Sequence, residues 1–213
     1  MIVLGIDTSG TGCAAALYDS QTDTVLGAAG EDIGRGHAER LMEFVDGALV
    51  AAKLDLPSID RIAVTVGPGS FTGIRVGVAA ARGLALALGV PAVGVTTLSA
   101  LAAGRQGPLL VAIDAKRDEV YWQAFAADGS EATSPAIASV EDARSIAEAY
   151  EGALAGSGAA LLREGAASET DSVFIATVAR LGARLDPATH RPKPLYLRGP
   201  DAKPQAGFAI RRA

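Results

Sequence analysis

The sequence predicts an α/β protein of two lobes in which mixed sheets are flanked by helices. Three observations carry this expectation. Three short apolar runs at the start are separated by polar turns, and a helix, a strand, a helix and a strand follow them in alternation. A glycine-rich stretch, Val64-Thr65-Val66-Gly67-Pro68-Gly69-Ser70-Phe71-Thr72-Gly73, turns a buried strand sharply into a helix. A break at Gly104-Arg105-Gln106-Gly107-Pro108 precedes a second apolar run, which opens a new unit.

The elements follow in order. Ile2 to Ile6, Cys13 to Tyr18 and Thr24 to Ala29 read as strands, joined by Asp7-Thr8-Ser9-Gly10-Thr11-Gly12 and Asp19-Ser20-Gln21-Thr22-Asp23. The short loops predict an antiparallel meander. His37 to Lys53 reads as an amphipathic helix, because Leu41, Phe44, Val45, Ala48, Leu49 and Ala52 recur at spacings of three and four. Ile59 to Val66 is a strand. Ser70 is placed to cap a helix from Phe71 to Leu88, and Gly89 to stop it. Val90 to Val95 is a strand, and Thr96 or Thr97 caps a short helix through Ala103. This order is that of the ribonuclease-H-like module of actin-like folds, and a fold does not by itself fix a function.

In the second unit, Leu109 to Ile113 and Glu119 to Ala126 read as a hairpin. Weaker patterns suggest a helix from Val140 to Tyr150, a strand from Ala153 to Ala155 and a helix from Asp171 to Leu185, while Gly156 to Glu169 gives little signal. The expected organisation is a lobe over 1–103, a smaller, degenerate lobe over 104–190, and a proline-containing basic tail over 191–213 that is extended or disordered.

Composition narrows the function classes. Hydrophobic residues make up 49% of the 213 and aromatic ones 5%, so the core is built from Ala, Val, Leu and Ile. The net charge of −5 argues against a wholly basic nucleic-acid binder. The charge is uneven, however. From Thr189 to Ala213 the basic residues are Arg191, Lys193, Arg198, Lys203, Arg211 and Arg212, against the single acid Asp201. Cys13 is the one cysteine, so no internal disulfide forms, and its apolar run makes it a small core residue. Met1 leads straight into a strand pattern, so no signal peptide is expected. The longest apolar run, Val78 to Val90, contains Arg82 and falls short of a membrane span.

Four groups of residues bear on chemistry. Asp7-Thr8-Ser9 has the composition of an ordinary turn, and also of the acidic, hydroxyl-rich turn that meets phosphate and metal in actin-like kinases. The Gly67–Gly73 turn, with Gly67, Gly69 and Ser70, allows two readings: a backbone phosphate cradle at a helix start, or a turn that needs glycine for its geometry. It has no Walker lysine. His37 is followed four residues on by Leu41, so the His pair of a helical metal site is missing, and His37 reads as solvated or hydrogen-bonded near a helix start. Asp114, Lys116, Arg117, Asp118 and Glu119 read as a solvated turn between strands. No Gly-x-Ser-x-Gly elbow is present.

Ile6-Asp7-Thr8-Ser9, His37-Ala38-Glu39-Arg40-Leu41, Gly67-Pro68-Gly69-Ser70-Phe71-Thr72-Gly73-Ile74-Arg75, Ala112 to Tyr121 and Pro194-Leu195-Tyr196-Leu197-Arg198 together resemble the bacterial TsaB (YeaZ) family. The resemblance covers Met1 to about Ala126 and returns in the tail. It implies an actin-like, two-lobed fold and a part in making threonylcarbamoyladenosine on tRNA, at the adenosine beside the anticodon. It implies a cytoplasmic, non-catalytic scaffold, similar to the transferase subunit TsaD without its metal-binding His pair. Partners so implied are a TsaD-type transferase, a TsaE-type ATPase and a second copy of the chain, with ATP and metal on the partner subunits. tRNA is met indirectly or through the basic tail. The first two long helices then supply the interface, with Leu41, Phe44, Val45 and Leu49 on one and Gly73, Val76, Gly77, Ala80 and Leu84 on the other. Each helix also needs a face for its own core. The competing readings are an autonomous actin-like ATP-binding enzyme, such as a small-molecule kinase, and a metallopeptidase.

Overall fold

The computed structural model describes residues 1–167 and 169–199. Lys203, Arg211 and Arg212 of the basic tail lie outside the described residues.

The first sheet grows from the predicted meander. Strands β1 (Ile2–Asp7), β2 (Gly12–Asp19) and β3 (Thr24–Asp32) pair antiparallel, and β4 (Arg61–Thr65) and β5 (Ala92–Val95) add in parallel to give the order β3-β2-β1-β4-β5. Helices α1 (His37–Ala52) and α2 (Phe71–Leu88) are the crossovers. Ser70 caps α2 by accepting from the Gly73 N–H at 3.2 Å, and Gly89 ends it in the left-handed conformation at φ 68°. The strands alternate as a sheet buried on both faces requires. Leu4, Ile6, Ile62 and Val64 point into the core under α1 and α2. Val3, Ala63 and Val93 point into a second core, which α6 (Ile175–Arg184) covers from the other side.

The short helix α3 (Thr97–Ala102), capped by Thr96, leads to the second sheet. There β6 (Leu109–Lys116), β7 (Glu119–Phe125) and β8 (Ala136–Ser139) form a second antiparallel meander. Helix α4 (Val140–Ala149) follows, and β9 (Ala153–Ala155) pairs in parallel with β6. The order β8-β7-β6-β9 repeats the first four strands of the other sheet and stops one short. The arrangement is an actin-like pair of ribonuclease-H-like lobes, the second truncated.

Four differences from the sequence expectation have physical causes. β8 (Ala-Ile-Ala-Ser, with one β-branched residue) and the single turn α5 (Ala159–Leu162) stand out too weakly from their polar and alanine-rich surroundings to be read from the sequence. α6 lies on the first sheet although it follows the second lobe in sequence. Gly5 and Gly182 allow this, since a Cβ on Gly5 would come within 3.0 Å of the Ala179 Cβ and one on Gly182 would run into the Ala63 side chain. Phe71–Leu88 is long and apolar enough to span a membrane, with mean hydropathy 1.4, although the unbroken apolar run within it is shorter. One face of this helix is in the core and the other carries Arg75 and Arg82. Residues 191–197 form neither helix nor strand, but they are held. Gly94 donates to the His190 carbonyl at 2.8 Å, and Leu195 donates to the Val66 carbonyl at 2.8 Å and packs on the first core. Arg198 donates to Glu119 and to the carbonyls of Ala115 and Lys116, so this strap joins the lobes.

Candidate functional site

The lobes face each other across a cleft of about 1150 Å³. Asp7 and Ser9 reach it from the end of β1, Pro68, Gly69 and Ser70 from the turn before α2, and Thr97 from α3. Asp114, Ser157 and Asp171 reach it from the second lobe. The cleft therefore gathers Asp7, Gly69 and Ser70 of the predicted site. It also includes Ser157, which the sequence does not single out, and Thr97 and Asp171, which the sequence places only at helix starts. The Thr97 N–H donates to the Gly67 carbonyl at 2.8 Å, and Ser157 accepts from the Asp114 N–H and donates to Asp171, contacts between segments far apart in the chain that no local pattern marks.

Asp7 is buried and its Oδ1 is occupied. It accepts from the Ser9 N–H at 3.0 Å, the Ser9 hydroxyl at 2.7 Å and the Thr65 hydroxyl at 2.6 Å. The parallel β1–β4 register brings Thr65 there. Thr8 points the other way, and its hydroxyl donates to the Gly73 carbonyl at 2.8 Å.

The glycine turn is committed to the same contact. The Ser70 N–H donates to the Ser9 carbonyl at 2.7 Å, and the Gly73 N–H is taken by the Ser70 side chain. Side chains on Gly69 or Gly73 would run into the Ser9 and Thr8 carbonyls, and one on Gly77 into the Thr8 hydroxyl. Gly67 has φ 98°, in the left-handed region that favours glycine, and a Cβ there would lie 2.7 Å from Ile74 Cδ1. The β1–β2 turn thus occupies the start of α2, and two of the N–H groups a phosphate would use are already paired.

The cleft lining contains Asp7, Glu31, Asp32, Asp114 and Asp171 and, among the described residues, no Lys, Arg or His. No cationic side chain of this lining, among the described residues, would meet a phosphate, and the Ser70 and Gly73 N–H groups of the turn are already paired. No group of three or more metal-ligating side chains occurs among the described residues. His37 is largely buried rather than solvated, with Nε2 3.2 Å from the Gly12 carbonyl. Asp114 is half-buried, and its carboxyl is held below the ordinary carboxylate range, first by the Lys116 ammonium at 2.6 Å.

The predicted interface residues separate into two sets. Leu41, Phe44, Val45 and Leu49 of α1 and Gly73 and Gly77 of α2 are buried in the chain's own core. Val76, Ala80 and Leu84 are half-buried against it. These positions serve the fold because the apolar stripe of each helix is what covers the sheet. The outward faces carry a different set: Met42 and Val50 on α1, and Phe71, Arg75, Arg82 and Leu86 on α2.

Fold and cleft define a two-lobed actin-like protein whose interlobe cleft, lined largely by small and apolar residues, carries carboxylates and hydroxyls as its polar groups. A family model described as TsaD, tRNA N6-adenosine threonylcarbamoyltransferase, matches residues 15–184. YeaZ from Pseudomonas aeruginosa superposes with a TM-score of 0.75 at 28% identity, over 92% of this chain and 99% of that one. The uncharacterized protein Rv3421c of Mycobacterium tuberculosis is 37% identical over 209 residues, 96% of this chain and 95% of that protein. The tRNA threonylcarbamoyladenosine biosynthesis protein TsaB of Escherichia coli is 38% identical over 133 residues, which span 60% of this chain and 56% of that protein. The chain belongs to the TsaB (YeaZ) family.

Proposed function

We propose that the chain acts in tRNA threonylcarbamoyladenosine biosynthesis as a non-catalytic subunit that binds and activates a TsaD-type transferase through the outer faces of α1 and α2. The observation that carries this reading is the apolar surface of that helix pair. Leu86 is 86% exposed, Val50 77% and Phe71 55%, although α1 and α2 have already covered the sheet beneath them. Leu41 in place of a second histidine, and the absence of three or more metal-ligating side chains in one group among the described residues, support assigning the metal, and with it ATP, to the partner subunits. A TsaE-type ATPase completes the assembly, the same face serves a homodimer when the chain is alone, and tRNA is met mainly through the partners. The compartment is the cytoplasm.

Reconstitution tests the reading. The chain is mixed with the TsaD-type and TsaE-type proteins, tRNA, and ATP, threonine and bicarbonate together with an enzyme that joins them into the activated threonylcarbamoyl donor, and modified adenosine is measured. Modification that depends on the chain is expected. Equal modification without it overturns the proposal.

A further inference from the structure

Arg75 is exposed on the first turns of α2 and, among the described residues, is held by aromatic side chains. Its guanidinium carbon lies 3.6 Å from the centre of the Phe71 ring and 5.6 Å from that of Tyr196, and Nε donates to the Tyr196 hydroxyl at 2.8 Å. The two rings are 5.3 Å apart and tilted by 40°. Phe71 comes from the helix and Tyr196 from the strap, so two distant segments converge to orient one planar fork. Neither Arg75 nor Arg82 has a carboxylate within ion-pair distance among the described residues. Phe71–Leu88 contains two arginines and no acid.

A guanidinium stacked against rings keeps its geometry and its capacity for two parallel hydrogen bonds to a carboxylate. We propose that Arg75 anchors the partner face by gripping an Asp or Glu carboxylate of the TsaD-type partner, and that Tyr196 makes the strap part of that face. This rests on the partner reading above. The charge of α2 favours an acidic counterpart, and buried arginine and aromatic anchors dominate the energetics of such interfaces.

The test is calorimetric titration of the full chain with the TsaD-type protein at low and high salt, for Arg75→Ala, Arg75→Lys, Tyr196→Phe and Leu86→Asp, with thermal midpoints measured for each. Arg75→Ala is expected to bind about 10- to 100-fold more weakly, the range of an interface anchor, and to lose part of the salt dependence. Arg75→Lys is expected to recover little, because an ammonium has no fork. Tyr196→Phe is expected to weaken binding with an unchanged midpoint. Wild-type affinity for Arg75→Ala or Arg75→Lys while Leu86→Asp abolishes binding overturns the anchor and leaves the partner face standing. Wild-type affinity for Leu86→Asp as well overturns both.

Discussion

The Thr8 carbonyl occupies the space in which a side chain on residue 73 would sit, and the Gly73 carbonyl returns the contact by accepting from the Thr8 hydroxyl at 2.8 Å. One glycine thus lets the β1–β2 turn dock on the first turn of α2. Gly73→Ala is expected to lose about 1–3 kcal/mol, the usual cost of overpacking, because backbone cannot yield as a side-chain tip does. Gly83, also in α2, has open space around it, and Gly83→Ala is expected to gain about 0.5–1 kcal/mol from helix propensity. Urea unfolding of the two variants measures both signs.

Phe44 and Leu86 separate core from surface. Phe44 is 8% exposed, and Phe44→Ala is expected to cost about 3–5 kcal/mol through the cavity it leaves. Leu86→Asp is expected to change stability by less than about 0.5 kcal/mol, as surface changes do. Denaturation of each variant, run beside partner binding, distinguishes the two roles.

Burial pushes the Cys13 thiol up to about 11, with Asp7 adding to the effect. The folded chain holds the proton that the unfolded chain releases first. This contribution is therefore complete below the unfolded thiol's value of about 8.5 and is lost as pH rises towards about 11. A thiol reagent at about pH 8 is expected to leave Cys13 unmodified in the native protein and to react once it is unfolded.

The Glu169 carboxyl is held below its ordinary value, chiefly by the Arg105 guanidinium, whose NH2 lies 2.5 Å away. A depressed carboxylate stabilises the fold above its unfolded value, and the contribution fades as pH falls through the folded one. Glu169→Gln is expected to flatten the acid limb of the stability profile below about pH 4.3, the unperturbed glutamate value. Thermal midpoints followed from neutral pH into the acid range check this.

The sequence by itself determined the first lobe. Its meander, its two long helices and its parallel strands are written in local period and in Ser70 and Gly89, and these signals need no distant partner. It also contained the family motifs and the missing histidine at Leu41. Tertiary structure decided the rest, because each remaining question concerned which of two surfaces a residue meets. Leu41 and Phe44 match a partner face and a core face equally well until the sheet is placed beneath them. The strap and α6 cross back to the first lobe by contacts between segments far apart in the chain, which local patterning does not encode. The glycine turn reads in sequence as an anion cradle or as a turn that needs glycine, and only the folded chain shows the Ser9 carbonyl and the Ser70 hydroxyl taking two of its N–H groups.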